Sequence, residues 1–173
     1  AEHFTEIHGK TWGIIGLGAI GRRVAEIARA FGAKVIYYSA SGAPAQEGYE
    51  QVDFETLLTQ SDIISVHAPL NEHTEGLINS KAFEKMKSSC IFLNLGRGPI
   101  VDEQALYNAL VRNQIAAAGL DVLCKEPMSA DNPLLKIKDS KRLLITPHIA
   151  WASVEARTHL MEIIHGQVKD FFA

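Results

Sequence analysis

The sequence lacks the features of disulfide-stapled, membrane-spanning and nucleic-acid-binding proteins. Its two cysteines, Cys90 and Cys124, form no Cys-x-x-Cys pair, so we expect two reduced thiols. No apolar run approaches the length of about 18 residues that a transmembrane helix needs, and residues 1–10 contain no signal-peptide core. With 17 basic against 20 acidic residues, the net charge is −3 and no run of like charges is long enough to make a charged patch. These absences predict no nucleic-acid or membrane partner and favour a cytoplasmic location.

Histidine and cysteine are also too scattered to form a recognisable metal-binding motif. Five of the seven histidines have no chemical neighbour at a suitable spacing, and we expect them at the surface without a bound metal. They are His3, His8, His73, His159 and His165.

The sequence instead alternates short apolar runs with amphipathic stretches. Its 47% hydrophobic content and its 173 residues suit a single domain, in which about 70% of the extended-chain surface becomes buried. Apolar strands that alternate with helices predict an α/β fold with a doubly wound parallel sheet. The six predicted strands are residues 11–15, 34–38, 63–66, 91–94, 116–121 and 143–146. Two stretches rich in turn residues, 39–50 and 125–141, are predicted loops.

Three stretches carry the helical spacing of apolar residues. The first ends at Gly32, a residue typical of helix C-termini, and the others span residues 102–112 and 153–172. The predicted apolar faces are Val24, Ile27, Ala28 and Phe31 in the first helix, Ala105, Leu106, Ala109 and Leu110 in the second, and Leu160, Ile163, Ile164, Val168 and Phe171 in the third.

A glycine-rich turn follows the first predicted strand and precedes the first predicted helix. Residues 16–21 read Gly-Leu-Gly-Ala-Ile-Gly. Gly16 permits a tight turn, Gly18 lets the backbone approach a pyrophosphate, and Gly21 lets helix and strand pack closely. The helix N-terminus, beginning with Ala19 and Ile20, presents N–H groups to the phosphates. This pattern predicts a dinucleotide-binding site.

The second predicted strand does not end in the acidic residue that usually binds the adenosine ribose of NAD. Ser39 stands there, and the next carboxylate is that of Glu47. No arginine occurs in residues 30–96 to bind the 2′-phosphate of NADP. Ser39 and Ser41 can hydrogen-bond either cofactor. We expect NAD because it is the commoner cofactor, and we keep NADP as the alternative.

Polar side chains follow the last three predicted strands. Arg97 follows the fourth strand, Asp121 and Glu126 the fifth, and His148 the sixth. Ligands of open α/β sheets lie beyond the carboxyl ends of the strands, so these side chains are expected at one edge. A guanidinium that binds a carboxylate and an imidazole that moves a hydroxyl proton suit hydride exchange between nicotinamide and a 2-hydroxy acid. On spacing alone, ordinary loop residues remain an equal alternative.

Several motifs follow one another along the chain. They are Gly-Lys-Thr at 9–11, the glycine turn, His-Ala-Pro-Leu at 67–70 with Thr74, Asn-Leu-Gly-Arg-Gly-Pro-Ile-Val-Asp at 94–102, Leu-Asp-Val at 120–122, Glu-Pro at 126–127 and Thr-Pro-His-Ile at 146–149. In this order they resemble the coenzyme-binding domain of the D-isomer-specific 2-hydroxyacid dehydrogenases. Residues 148–153 are similar to the glycerate dehydrogenase, or hydroxypyruvate reductase, branch. The resemblance implies a Rossmann fold and a small 2-hydroxy or 2-oxo acid as substrate.

The resemblance also implies a role for individual residues. Arg97 is expected to bind the substrate carboxylate, Glu126 to support the histidine, His148 to act as acid and base, and Asp121 to face the nicotinamide. The other positions expected on the cofactor side are His67, Ala68, Pro69, Thr74, Leu95, Gly96 and Ala150. For the first four of these, a strand end and a turn are an equally good interpretation.

Members of that family have a second domain that closes over the substrate. We expect residues 1–173 to form the coenzyme-binding domain alone, and therefore to bind cofactor with little or no turnover. Apolar residues near Phe171 and Phe172 make a homodimer a further expectation. A dinucleotide-binding module without catalysis and a redox-sensing co-repressor stay open as alternatives.

Overall fold

The computed structural model describes residues 5–172, which form one seven-stranded parallel sheet. The predicted α/β fold with a doubly wound parallel sheet is confirmed. His3, one of the histidines expected at the surface, lies outside the described residues. The strands are β1 (Thr11–Ile15), β2 (Lys34–Tyr38), β3 (Glu50–Gln51), β4 (Ile63–Val66), β5 (Ile91–Asn94), β6 (Ala117–Leu120) and β7 (Leu143–Ile145). Their order across the sheet is β3-β2-β1-β4-β5-β6-β7.

Five α-helices connect or follow the described strands. They are α1 (Ala19–Ala30), α2 (Phe54–Gln60), α3 (Ser80–Lys85), α4 (Glu103–Val111) and α5 (Val154–Phe171), and Gly98–Ile100 and Pro133–Lys136 form short 3-10 turns. The three predicted helices are present. The sequence analysis missed strand β3, which has only two residues, and helices α2 and α3, because seven and six residues are too few to show a helical period.

Helices cover both faces of the sheet. Ile14 and Ile15 are neighbours in β1, so their side chains point to opposite faces. Ile14 packs in a cluster with Ala25 and Ala28 of α1. Ile15 belongs to a larger cluster that takes in apolar residues of α2, α3 and α4, such as Leu57, Phe83 and Leu106.

The predicted apolar face of α1 is wrong in part. Ala28 is buried, but Ile27 and Phe31 are 49% and 61% exposed. The buried face consists of the small residues Gly21, Ala25 and Ala28. A Cβ atom on Gly21 would lie 2.1 Å from the carbonyl oxygen of Gly16. The helix therefore lies so close to β1 that small side chains, not large ones, face the sheet.

Helix α5 is present, but none of its residues is buried. The side chains of the predicted stripe from Leu160 to Phe171 are 41% to 82% exposed, so the described domain does not bury this face. Phe171 and Phe172 are 82% and 81% exposed.

Asp62 joins three parts of the fold. Its Oδ2 accepts a hydrogen bond from the backbone N–H of Thr11 at 2.8 Å, and its Oδ1 binds Lys87 Nζ at 2.9 Å. Burial by itself raises the pKa of Asp62, but the Thr11 amide and the Lys87 ammonium outweigh it and hold the pKa below 3.8. The carboxylate thus ties the start of β1 to β4 and to the loop before β5.

We expect Asp62→Asn to lower the free energy of unfolding by about 1–3 kcal/mol near neutral pH. Because the folded-state pKa lies below the unfolded value, this contribution is complete above pH 3.8 and is lost as pH falls through the folded-state pKa. Urea denaturation of both proteins across the acid range will measure it. A stability difference that stays constant as the pH falls would show that the carboxylate charge is not responsible.

Candidate cofactor and substrate site

A cleft of about 300 Å³ opens at the sheet edge between β1, β2 and β4. The strand order reverses here, since β1 is flanked by β2 on one side and by β4 on the other. Such reversal points are where open α/β sheets bind ligands. The predicted cofactor residues that line the cleft are Gly16, Gly18, Ser39, His67, Ala68, Pro69 and Thr74.

The three glycines of the turn meet three different spatial requirements. Gly16 has a φ of +92°, and a Cβ atom there would lie 2.7 Å from the backbone nitrogen of Ala68. Gly21 lies against the backbone of Gly16. A Cβ atom on Gly18 would meet no protein atom within 4 Å. The space beside Gly18 is therefore open to a ligand.

The first turn of α1 differs from that of the other four described α-helices. The N-cap residues of those helices are Asp53, Asn79, Asp102 and Ser153, whose side chains accept hydrogen bonds from backbone N–H groups of the first turn. The N-cap residue of helix α1 is Gly18, which has no side chain to do so. Its N-terminal N–H groups, beginning with Ala19 and Ile20, are thus available to a phosphate. The residues present fit a dinucleotide.

The ribose side of the cleft is formed by the loop after β2. The hydroxyls of Ser39 and Ser41 lie 3.2 Å apart, and no acidic residue is among the described residues that line the cleft. Gln46, which the sequence analysis did not single out, donates from Nε2 to Leu17 O at 2.9 Å and accepts from Arg22 Nη1 at 3.2 Å. No sequence signal marks Gln46, because it lies in an irregular loop.

His67 takes part in a short hydrogen-bonded chain. Trp12 Nε1 donates to Ser65 Oγ at 2.9 Å, and Ser65 Oγ lies 3.0 Å from His67 Nε2. Burial lowers the pKa of His67 to about 4, so the ring is uncharged near neutral pH. Thr74 is buried and uses its hydroxyl to close the turn after β4, donating to Pro69 O at 2.6 Å.

The loop that carries Arg97 is held by a buried amide. Asn94 accepts the N–H of Gly96 at 3.1 Å and donates to the carbonyl of Arg97 at 3.0 Å. The Arg97 side chain is exposed, and its Nη1 bonds Gly96 O at 2.8 Å. Leu95 is 41% exposed, whereas Gly96 is buried. The sequence analysis places Asn94 in a motif but does not predict it as a site residue, because its role depends on its burial at the end of β5.

The structure brings together the two residues predicted to form the acid/base pair. His148 Nδ1 lies 2.8 Å from Glu126 Oε2, and Glu126 Oε1 accepts the backbone N–H of Leu123 at 2.9 Å. The Leu123 amide and the His148 imidazole lower the pKa of Glu126. Since Glu126 remains a carboxylate, His148 Nδ1 carries the hydrogen and Nε2 is left for a substrate.

Asp121 follows β6, lines the same cleft as Glu126 and His148, and is buried. Its carboxylate binds the chain's own loop after β7, including the N–H of Ala150 at 2.8 Å. Beside Asp121, Glu126 and His148 is an apolar cleft of about 610 Å³, walled in part by Leu123 and Met128.

Residues 5–172 contain neither a candidate membrane-spanning helix nor a candidate metal-binding cluster. No helix in this range is long and apolar enough to cross a bilayer, and no three histidine, cysteine, aspartate or glutamate side chains are grouped so as to hold a metal ion. The described histidines expected at the surface, His8, His73, His159 and His165, are exposed.

Comparison with known proteins identifies the family. Residues 1–150 match the D-isomer specific 2-hydroxyacid dehydrogenase, NAD binding domain family. The chain belongs to this family. It is 46% identical over 168 residues to a hydroxypyruvate reductase of Blautia hydrogenotrophica, covering 96% of this chain and 51% of that protein. It is 43% identical over 168 residues to a glycerate dehydrogenase of Methylorubrum extorquens, covering 97% and 52%. The chain thus spans about half the length of these relatives.

Solved structures agree with this assignment. The D-lactate dehydrogenase of Aquifex aeolicus, complexed with NAD and lactic acid, is 32% identical, with a TM-score of 0.88 over 97% of this chain and 55% of that one. An acyclic imino acid reductase, Bsp5, in complex with NADPH and D-Arg is 40% identical, with a TM-score of 0.87 over 97% and 52%. The predicted family and Rossmann fold are confirmed, the two relatives are consistent with the predicted branch, and the domain is an NAD-binding domain.

Gly18→Val is expected to weaken NADH binding about 100-fold or more, because the new side chain fills the phosphate space and blocks charge-assisted hydrogen bonds. The extended backbone of Gly18 (φ −77°, ψ −164°) accepts valine, so the melting temperature should be retained. Isothermal calorimetry measures the affinity.

Gly166→Val in α5 is the matched control. A Cβ atom on Gly166 would likewise meet no atom within 4 Å, but Gly166 lies outside the cleft. Equal NADH affinity in the Gly18→Val variant and the wild type would remove the phosphate site from this turn.

Proposed function

We propose that the complete protein is an oxidoreductase that transfers a hydride between a nicotinamide cofactor and a small D-2-hydroxy acid of the glycerate or hydroxypyruvate kind. The observation that carries the proposal is the 2.8 Å contact between Glu126 and His148, at the same sheet edge as the glycine turn. The names of the two relatives from Blautia and Methylorubrum support the choice of substrate.

His148 is the proposed acid and base. When bound, the nicotinamide ring supplies or takes up the hydride. His148 Nε2 takes the hydroxyl proton during oxidation and returns it during reduction. Glu126 faces Nδ1 at 2.8 Å and stabilises the protonated imidazole by its negative charge.

Arg97 is the proposed anchor for the substrate carboxylate. A planar guanidinium can hold a carboxylate through two parallel hydrogen bonds, which fixes the orientation of the carbon next to it. Nη1 already bonds Gly96 O, so this backbone contact orients the guanidinium while its other N–H groups bind substrate.

The proposed cofactor preference is NAD, with NADP accepted. Ser39 and Ser41 offer hydroxyls to either form of the ribose, and no described lining residue brings a carboxylate that would repel a 2′-phosphate. Arg22 reaches the same loop through Gln46. The complex of Bsp5 with NADPH is consistent with tolerance of the 2′-phosphate within this fold.

A second domain completes the proposed active site. The described domain exposes apolar side chains on α5 and on β7, where Leu144 is 60% exposed, and surfaces of this kind mark contact regions. We propose that a substrate-binding domain covers part of this surface and excludes water from the reaction. A homodimer through the rest of the surface remains a prediction.

The 173-residue chain is expected to bind NADH, and NADPH more weakly, while turning over hydroxypyruvate far below about 10 per second. Tryptophan fluorescence quenching measures both affinities side by side, and a steady-state assay measures turnover. Absence of binding to both cofactors would overturn the proposed function. Binding without turnover in the complete protein would favour the non-catalytic module.

His148→Asn is expected to lower kcat of the complete protein by about 10²–10⁴-fold, the range of a lost general acid and base. Cofactor affinity should be nearly unchanged. His159→Asn, which changes an exposed histidine of α5, is the matched control and should leave both quantities as they are. Loss of NADH binding in His148→Asn would reassign the residue to a structural role.

A further inference from the structure

The carboxylate of Asp121 forms three hydrogen bonds to a single loop. Oδ1 accepts from Thr146 Oγ1 at 2.5 Å and from the backbone N–H of Ile149 at 2.9 Å. Oδ2 accepts the backbone N–H of Ala150 at 2.8 Å. Asp121 is only 5% exposed. A buried carboxylate therefore binds the loop immediately before and after His148.

His148 has a backbone conformation that needs such support. Its φ is +53°, in the left-handed region that non-glycine residues rarely adopt. This conformation persists only where the surrounding structure holds it in place. The N–H of His148 bonds Thr146 O at 3.0 Å, and the N–H of Thr146 bonds Leu120 O at 2.9 Å. The turn is thus tied to β6 both through the backbone and through Asp121.

The position of the turn determines where the imidazole lies. Glu126 is held separately, because its other oxygen accepts the Leu123 N–H. The 2.8 Å contact between His148 Nδ1 and Glu126 Oε2 therefore depends on the relative position of the loop that carries His148 and the loop that carries Glu126. Asp121 fixes the position of the His148 loop through its hydrogen bonds to Thr146, Ile149 and Ala150.

We infer that Asp121 is a positioning residue that holds the loop from Thr146 to Ala150 so that His148 Nδ1 meets Glu126. The imidazole is thereby fixed as the Nδ1–H tautomer, with Nε2 free for the substrate proton. The inference deepens the proposed function and relies on it only for the use made of Nε2.

The test follows the tautomer of His148 by ¹⁵N NMR of the cofactor-free chain, at a pH at which the imidazole is neutral. In Asp121→Asn, the side-chain NH₂ group replaces one carboxylate oxygen and cannot accept a hydrogen bond from the N–H of Ala150 or Ile149. At least one hydrogen bond to the loop is therefore lost. We expect the ratio of Nδ1–H to Nε2–H tautomer to fall about fivefold or more, the change produced by one lost hydrogen bond.

Thr146→Val is the second variant, because it removes one of the three hydrogen bonds and keeps the charge of Asp121. The same direction of change, with a smaller amplitude, is expected. Asp62→Asn is the matched control: it also converts a hydrogen-bonded aspartate to asparagine, but at the opposite, amino-terminal edge of the sheet, and it should leave the tautomer ratio unchanged.

An unaltered ratio in Thr146→Val would overturn the inference even if Asp121→Asn does not fold. Because no cofactor or substrate is present, this result would leave the proposed function standing. Conversely, failure of the wild-type chain to bind NADH would remove the proposed function without changing the tautomer result.

Discussion

Backbone hydrogen bonds between β1 and its two neighbours fix the position of the groups that bind cofactor. The N–H of Gly16 bonds Tyr38 O at the end of β2, and the N–H of His67 at the end of β4 bonds Ile15 O. The glycine turn is therefore attached to both walls of the cleft. Because all seven strands are parallel, the same edge continues to β7, where the proposed reacting groups lie.

Backbone amides, more than charged partners, organise the polar side chains at this edge. Asn94, Asp121 and Glu126 each accept at least one backbone N–H. For Asp121, burial raises the pKa, but the Thr146 hydroxyl and the amides of Ile149 and Ala150 outweigh burial and lower it. A buried carboxylate is costly unless it is hydrogen-bonded. For the buried Asn94 and Asp121, these hydrogen bonds offset the cost of burial and at the same time hold the loops.

The two faces of the sheet are covered unevenly. The face of Ile15 is packed by three helices, whereas the face of Ile14 is packed by α1 over β1 and β2. Register places Ile14, Leu93 and Leu144 in one row across the sheet, and Leu144 is exposed. The uncovered part of that row, at Leu144, lies on the strand that precedes His148. A closing domain that covers this surface would exclude water from the site.

The sequence by itself determined the α/β class, the six strands of three or more residues and the glycine turn, and it placed Glu126 and His148 at one edge of the sheet. These features follow from local periods and from the rule that parallel strands end at one edge. The sequence did not determine the packed face of α1, because the close approach of Gly21 to Gly16 reverses the usual preference for large apolar residues. Nor did it determine that Asn94 and Asp121 hold loops in place through hydrogen bonds to backbone groups. Those roles depend on hydrogen bonds between residues far apart in the chain, such as Asp121 and Ala150, which only the folded sheet brings within 3 Å.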